Sequence, residues 1–146
     1  EYTHGPVRDA EGNYYFTLNL CHSNNLKASY KAGGNFMGSM GGFRGWACRV
    51  TPAGVFEPYA SGVRSPAGLG MDPQGRLVYI DNQGEYFGSS KISYLKQGDF
   101  YGHPSGLVSL PGMKPSSQEI TFDKWQPKTH VSALWFPHSK YANSPG

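Results

Sequence analysis

The residues best suited to chemistry in this chain sit around two short polar stretches. Asp81-Asn82-Gln83-Gly84-Glu85 follows the apolar run Leu77-Val78-Tyr79-Ile80. It gathers carboxylate, amide and carbonyl oxygens, a donor set suited to Ca2+ or to sugar hydroxyls. Ordinary turn chemistry uses the same residue types, with Asx side chains bonded to nearby backbone. Arg64 could hold a carboxylate through two parallel N–H bonds. His4 could serve as a general base, since imidazole titrates near neutrality, or could simply pack. His103, in Tyr101-Gly102-His103-Pro104, could point into the same site or be buried.

Other chemistries are absent from the sequence. There is no Gly-x-Ser-x-Gly elbow, no phosphate-cradling Gly-Lys-Ser/Thr loop and no Cys-x-x-Cys pair. His22, His130 and His138 have no zinc-ligand spacing to one another or to the cysteines. The net charge of +3 comes from scattered Lys and Arg, which argues against nucleic acid as a partner. No apolar run is long enough to span a bilayer. Cys21 and Cys48 could form a disulfide, slightly favoured here, or remain two buried thiols.

The elements that must position these residues are strands. Gly 20, Pro 11, Tyr 10 and Phe 8, with no sustained helical periodicity, indicate many short strands and turns. A repeat organises them. Gly5–Asn19 lies over Gly68–Asn82 at a constant offset of 63, matching Gly5 with Gly68, Asp9 with Asp72, Gly12 with Gly75 and Asn19 with Asn82. Val50–Gly54 lies over Tyr94–Gly98 at an offset of 44, and Val55–Tyr59 over Leu134–His138 at 79. The unit without insertions is about 44 residues, the size of one four-stranded propeller blade.

The expected fold is therefore all-β, with about two four-stranded β-propeller blades. Blade one covers about 1–63 with an insertion at 22–45. Blade two covers about 64–142 with an insertion at 99–130, and a third unit begins at 143–146. Two blades cannot close a ring, so the remaining blades are expected partners. The first insertion reads as a surface loop or as a flap carrying Phe36, Met37, Met40 and Phe43. The second reads as an irregular excursion that Trp125 could pin. Arg64 and His4 are expected just before the innermost strands, near the channel mouth.

Arg64-Ser65-Pro66-Ala67-Gly68-Leu69, Gly75-Arg76-Leu77, Asn82-Gln83-Gly84, Lys91-Ile92-Ser93 and Tyr101-Gly102-His103-Pro104 together resemble the glucose/sorbosone dehydrogenase superfamily of soluble quinoproteins. The nearest likeness is to sorbosone-dehydrogenase-like propellers of planctomycete-type secreted proteins, often joined to cytochrome c modules. That resemblance implies a six-bladed propeller that binds pyrroloquinoline quinone (PQQ) and Ca2+ at its mouth and oxidises sugars. It places Arg64, Asn82, Gln83, Tyr101 and His103 around the cofactor, with the backbone carbonyls of Gly84 and Glu85 as metal ligands. His4 and Arg64 would be catalytic. A sugar or polysaccharide-derived substrate, a cytochrome c acceptor and a periplasmic or extracellular setting follow from the same likeness.

Three positions depart from the pattern. Ser65 replaces an Asn, Lys91 stands where the pattern has a calcium-binding Glu, and the catalytic His position falls on Glu1. The alternative expectation is a non-catalytic propeller that binds a glycan or a protein. A lactonase-type hydrolase is disfavoured, because no set of carboxylates converges.

Overall fold

The computed structural model describes residues 2–21, 37–39, 41–84, 86–114, 120–138 and 140–141. They form two four-stranded antiparallel sheets, each wound as a simple meander. Blade one runs β1 (Thr3–Arg8), β2 (Tyr14–Leu18), β3 (Trp46–Val50) and β4 (Phe56–Ser61). Blade two runs β5 (Pro66–Met71), β6 (Leu77–Asp81), β7 (Ser89–Tyr94) and β8 (Leu134–Pro137). The repeat explains the match: β1 and β5, and β2 and β6, coincide end to end at the offset of 63. Among the described residues, no helix is long and apolar enough to cross a membrane.

The first hairpin of each blade is built by the same turn. Asp9 Oδ1 accepts the Asn13 N–H at 2.8 Å, and Asp72 Oδ1 accepts the Gln74 and Arg76 N–H groups at 2.9 Å. Gly12 and Gly75 take φ of +89° and +76°, a left-handed backbone that side chains disfavour. This is why Asp-x-x-Gly recurs.

The third strand departs by one residue from the sequence alignment. Tyr15 pairs with Arg49, and its counterpart Val78 pairs with Tyr94, which puts the structural offset at 45 rather than 44. The turn after β7 is one residue shorter than the turn after β3, so aligning Gly54 with Gly98 slipped the strand. A slip of one turns each side chain to the opposite face, so the correction matters. In the true register, Leu18 opposite Trp46 is the counterpart of Asp81 opposite Lys91.

The blades pack face to face through Tyr15, Ala47, Ala60 and Val63 of blade one and Leu77, Tyr79 and Leu95 of blade two, with Tyr101 completing the cluster. Alternation puts Trp46 and Cys48 on the other face of blade one. There the excursion between β7 and β8 covers them with Phe100, Leu107, Ile120 and Trp125. Trp125 packs against the cluster that holds Trp46 and Cys48, its ring 5.0 Å from Phe100 of the same excursion. Phe43 is seated against Trp46 at 5.6 Å and Phe56 at 5.4 Å rather than over a ligand site. Met37 is described, whereas Phe36, Met40 and most of that insertion lie outside the described residues.

The disulfide expectation is corrected. Cys21 and Cys48 are both free thiols. Cys48 points into the apolar cluster, and burial pushes its thiol up to about 12. The half-buried Cys21 instead accepts a hydrogen bond from an Arg44 guanidinium N–H at 3.2 Å.

Candidate functional site

The rim at which β5 begins and β6 ends brings together most of the residues singled out above. After β4, the chain at Ser61–Gly62 pairs with the segment 99–103, through bonds from Ser61 N to Asp99 O at 3.0 Å, Tyr101 N to Ser61 O at 2.8 Å and His103 N to Gly62 O at 2.9 Å. Blade one thereby carries His103 and the Tyr101 carbonyl into the mouth of blade two, whereas the Tyr101 side chain, expected at the cofactor, is fully buried in the core between the blades. The Tyr101 hydroxyl is fixed as well, donating to Tyr94 O at 2.6 Å and accepting the Lys96 N–H at 2.9 Å.

Asp81 faces inward rather than out to a ligand. Its Oδ2 accepts the Arg64 N–H at 2.9 Å, and its Oδ1 accepts the Ser65 and Asn82 N–H groups at 2.8 and 3.0 Å. One carboxylate thus shapes the turn that presents Arg64. Asn82 adds to this by donating to Ser65 O at 2.8 Å. Gln83 Oε1 accepts the Ser90 hydroxyl at 2.8 Å.

Lys91, only 3% exposed, lies directly across the ladder from Asp81, which is 1% exposed. Its ammonium donates to the Tyr101 carbonyl and sits over the Phe87 and Trp135 rings, 5.0 and 5.8 Å from their centroids. Burial pulls the Lys91 pKa down while Asp81 pushes it back up. Burial raises Asp81, opposed by Lys91 and by the three backbone N–H donors. Those donors and the Tyr101 carbonyl favour the charged forms, and the two groups are coupled electrostatically across the ladder.

Arg64 crosses Gly84 at close range. A Cβ on Gly84 would overlap Arg64 Cδ and Nε and come within 2.8 Å of His103 Nε2. Gly84 is therefore the floor under both side chains. His103 is 2% exposed, edge-on to Tyr86 at 5.0 Å. Burial, then the charges of Lys91 and Arg64, hold its pKa well below the usual imidazole range, so it is neutral at pH 7. Both its ring nitrogens, together with Asn82 Oδ1 and Asn19 Oδ1, are buried without a hydrogen-bond partner. Such groups carry unmet demand of about 1–3 kcal/mol each.

His4 is placed differently from expectation. It lies inside β1, paired with Thr17, not ahead of the strand. Position 67, not Arg64, is its counterpart in blade two. β1 packs beside β5, which leaves His4 on the strand adjoining the mouth but outside the cluster of Arg64, Gly84 and His103. Glu85 lies outside the described residues.

These blades have solved counterparts. The chain is similar to a structure described as glucose dehydrogenase, with a TM-score of 0.56, 14% identity, and coverage of 90% of this chain and 38% of that one. A second, described as a crystal structure of glucose dehydrogenase, gives a TM-score of 0.53 and 17% identity over 90% of this chain and 39% of that one. The fold is glucose-dehydrogenase-like. The chain spans about two fifths of the length of those structures. No family model and no curated protein matches the sequence.

The mouth suits an anion better than a cation. Arg64 supplies a cation at this rim, and after burial the charges of Lys91 and Arg64 add to the lowering of the His103 pKa. An anionic quinone would meet the Arg64 guanidinium there, beside Asn82 and His103. Ca2+ needs several free oxygen ligands. Here the Asp81 oxygens are bonded to backbone N–H groups and the Tyr101 carbonyl to Lys91. Among the described residues, no group of three or more His, Cys, Asp or Glu could hold a metal.

The sequence leaves Asp81 open between a ligand and an Asx turn residue, and the structure takes the turn; its facing Lys91 across the ladder is not among the sequence expectations. The signal lay in parity. Leu77, Tyr79 and Asp81 share one face, and Lys91 sits opposite the last of them.

Proposed function

We propose that this chain is a blade pair of a dehydrogenase propeller of the sorbosone-dehydrogenase-like kind, secreted to the periplasm or beyond, acting on a sugar or polyol. The observation that supports it is Arg64, set across Gly84 beside a neutral His103. A bound quinone would supply the two-electron acceptor that oxidation of a hydroxyl requires, with a cytochrome-type protein taking the electrons onward.

The chain's own residues have distinct tasks. Arg64 holds carboxylate or carbonyl oxygens of the anionic group and steadies charge that develops there. Asp81 and Asn82 fix the Arg64–Ser65 turn. His4, on the adjoining strand, takes the substrate hydroxyl proton. His103, enclosed and neutral, supports Arg64 without adding a repelling charge.

The test is reduction of an artificial electron acceptor by the full protein with PQQ and a panel of sugars. Quinone-dependent turnover that falls at least ~100-fold in Arg64→Leu and in His4→Gln supports the reading. No turnover and no spectroscopic sign of quinone binding would leave the second reading, a non-catalytic propeller that binds a glycan or a protein. Lys91 in the mouth favours that alternative.

A further inference from the structure

The ammonium of Lys91 meets three groups at once and interacts electrostatically with a fourth. Asp81 opposes it across the ladder, the Tyr101 carbonyl accepts its hydrogen bond, and the Phe87 and Trp135 rings lie against it. Tyr101 belongs to the segment that blade one holds by Ser61 and Gly62. One positive charge therefore ties blade two's sheet to a segment carried by blade one, and balances the carboxylate that shapes the Arg64 turn. Neutralising a carboxylate and gathering a carbonyl are tasks that a divalent cation performs in oxygen-lined sites.

We propose that the Lys91 ammonium is the resident cation of this mouth, doing the work of a bound metal ion, so that the mouth keeps its geometry with no divalent cation. The Tyr101 carbonyl is bonded to Nζ, and both Asp81 oxygens are bonded to backbone N–H groups. A metal entering beside Lys91 would meet a fixed ammonium, with the Arg64 turn on the other side of Asp81. Because the inference concerns the protein alone, it stands apart from the dehydrogenase reading.

Two measurements on the full protein test it. The first is reductive methylation of lysines read by mass spectrometry, in 5 mM CaCl2 and in EDTA (concentration of about the millimolar order used for weak sites). Lys91 is expected to stay unmodified in both buffers while the exposed Lys96 reacts. Lys91 reacting at the Lys96 rate in either buffer overturns the proposal. The second compares Tm with and without Ca2+ for wild type and Lys91→Glu. The variant, with two acidic groups beside a freed carbonyl, is expected to gain a Ca2+-dependent rise that wild type lacks. A rise in wild type as large as in the variant overturns the proposal, and should the variant fail to fold, the methylation result decides. Neither readout uses quinone or substrate, so failure here is distinguishable from failure of the enzymatic reading.

Discussion

Blade one closes the last rung between its second and third strands with Leu18 opposite Trp46, whereas blade two closes the matching rung with Asp81 opposite Lys91. Both third-strand residues reach the same excursion. The Trp46 indole N–H donates to Gly106 O at 2.7 Å, and the Lys91 ammonium donates to Tyr101 O. The same mechanical task is thus done once by an aromatic residue and once by a charge. The indole buries a large apolar surface and needs one acceptor. The ammonium carries a desolvation penalty that its partners must offset, and gives in return a counter-charge for the carboxylate that shapes the Arg64 turn. Blade one uses the rung for stability, and blade two gives up some stability to shape a mouth.

Breaking each rung should expose that difference most clearly. Lys91→Met leaves the Asp81 carboxylate buried without its counter-charge and is expected to lose ~3–5 kcal/mol in urea unfolding. Trp46→Phe keeps an apolar rung but strands the Gly106 carbonyl, for a loss of ~1–3 kcal/mol. Equal losses would contradict the contrast between the blades.

The Gly84 floor offers a second comparison. Gly84→Ala forces Arg64 to move and should destabilise by ~1–3 kcal/mol while lowering acceptor reduction along with it. Gly70→Ala, where an added Cβ meets nothing within 4 Å, should be close to neutral. A smaller effect concerns pH. The folded pKa of His103 is depressed, so the unfolded chain binds the extra proton first as pH falls below about 6.5. Stability present above that pH should decline with a slope of up to ~1.4 kcal/mol per pH unit, and His103→Phe should remove that part of the slope. The least perturbing check is thiol labelling under native, non-reducing conditions. Mass spectrometry should find two free thiols, with the half-buried Cys21 labelled and Cys48 protected until the protein unfolds.

The blades were legible in the sequence because a turn residue has few substitutes. Asp9 and Gly12, with Asp72 and Gly75, mark the same hairpin twice, and their constant spacing carried the flanking strands with it. The third strand was misplaced by one because its marker, Gly54 or Gly98, belongs to turns of unequal length. Part of the site was legible as a neighbourhood: Arg64, Asn82, Gln83, Gly84 and His103 lie at one rim, while the Tyr101 side chain turns into the core between the blades. Their bonding was not legible. Whether Asp81 faces a ligand or the backbone depends on a single rung of register, and the Tyr101 carbonyl reaches Lys91 only because blade one holds the segment between them. His4 was expected just before an innermost strand, and the start of β1 at Thr3 put it within the ladder instead.

A double-mutant cycle on Asp81 and Lys91 probes the coupling of the two charges most directly. Asp81→Asn keeps an acceptor for the Ser65 and Asn82 N–H groups while removing the charge, and Lys91→Met removes the ammonium at similar length. If the two charges support each other, the double variant recovers part of what Lys91→Met loses, with a coupling of at least ~1 kcal/mol. Strictly additive losses would show that blade two's rung holds no working pair and that the mouth is organised by something else.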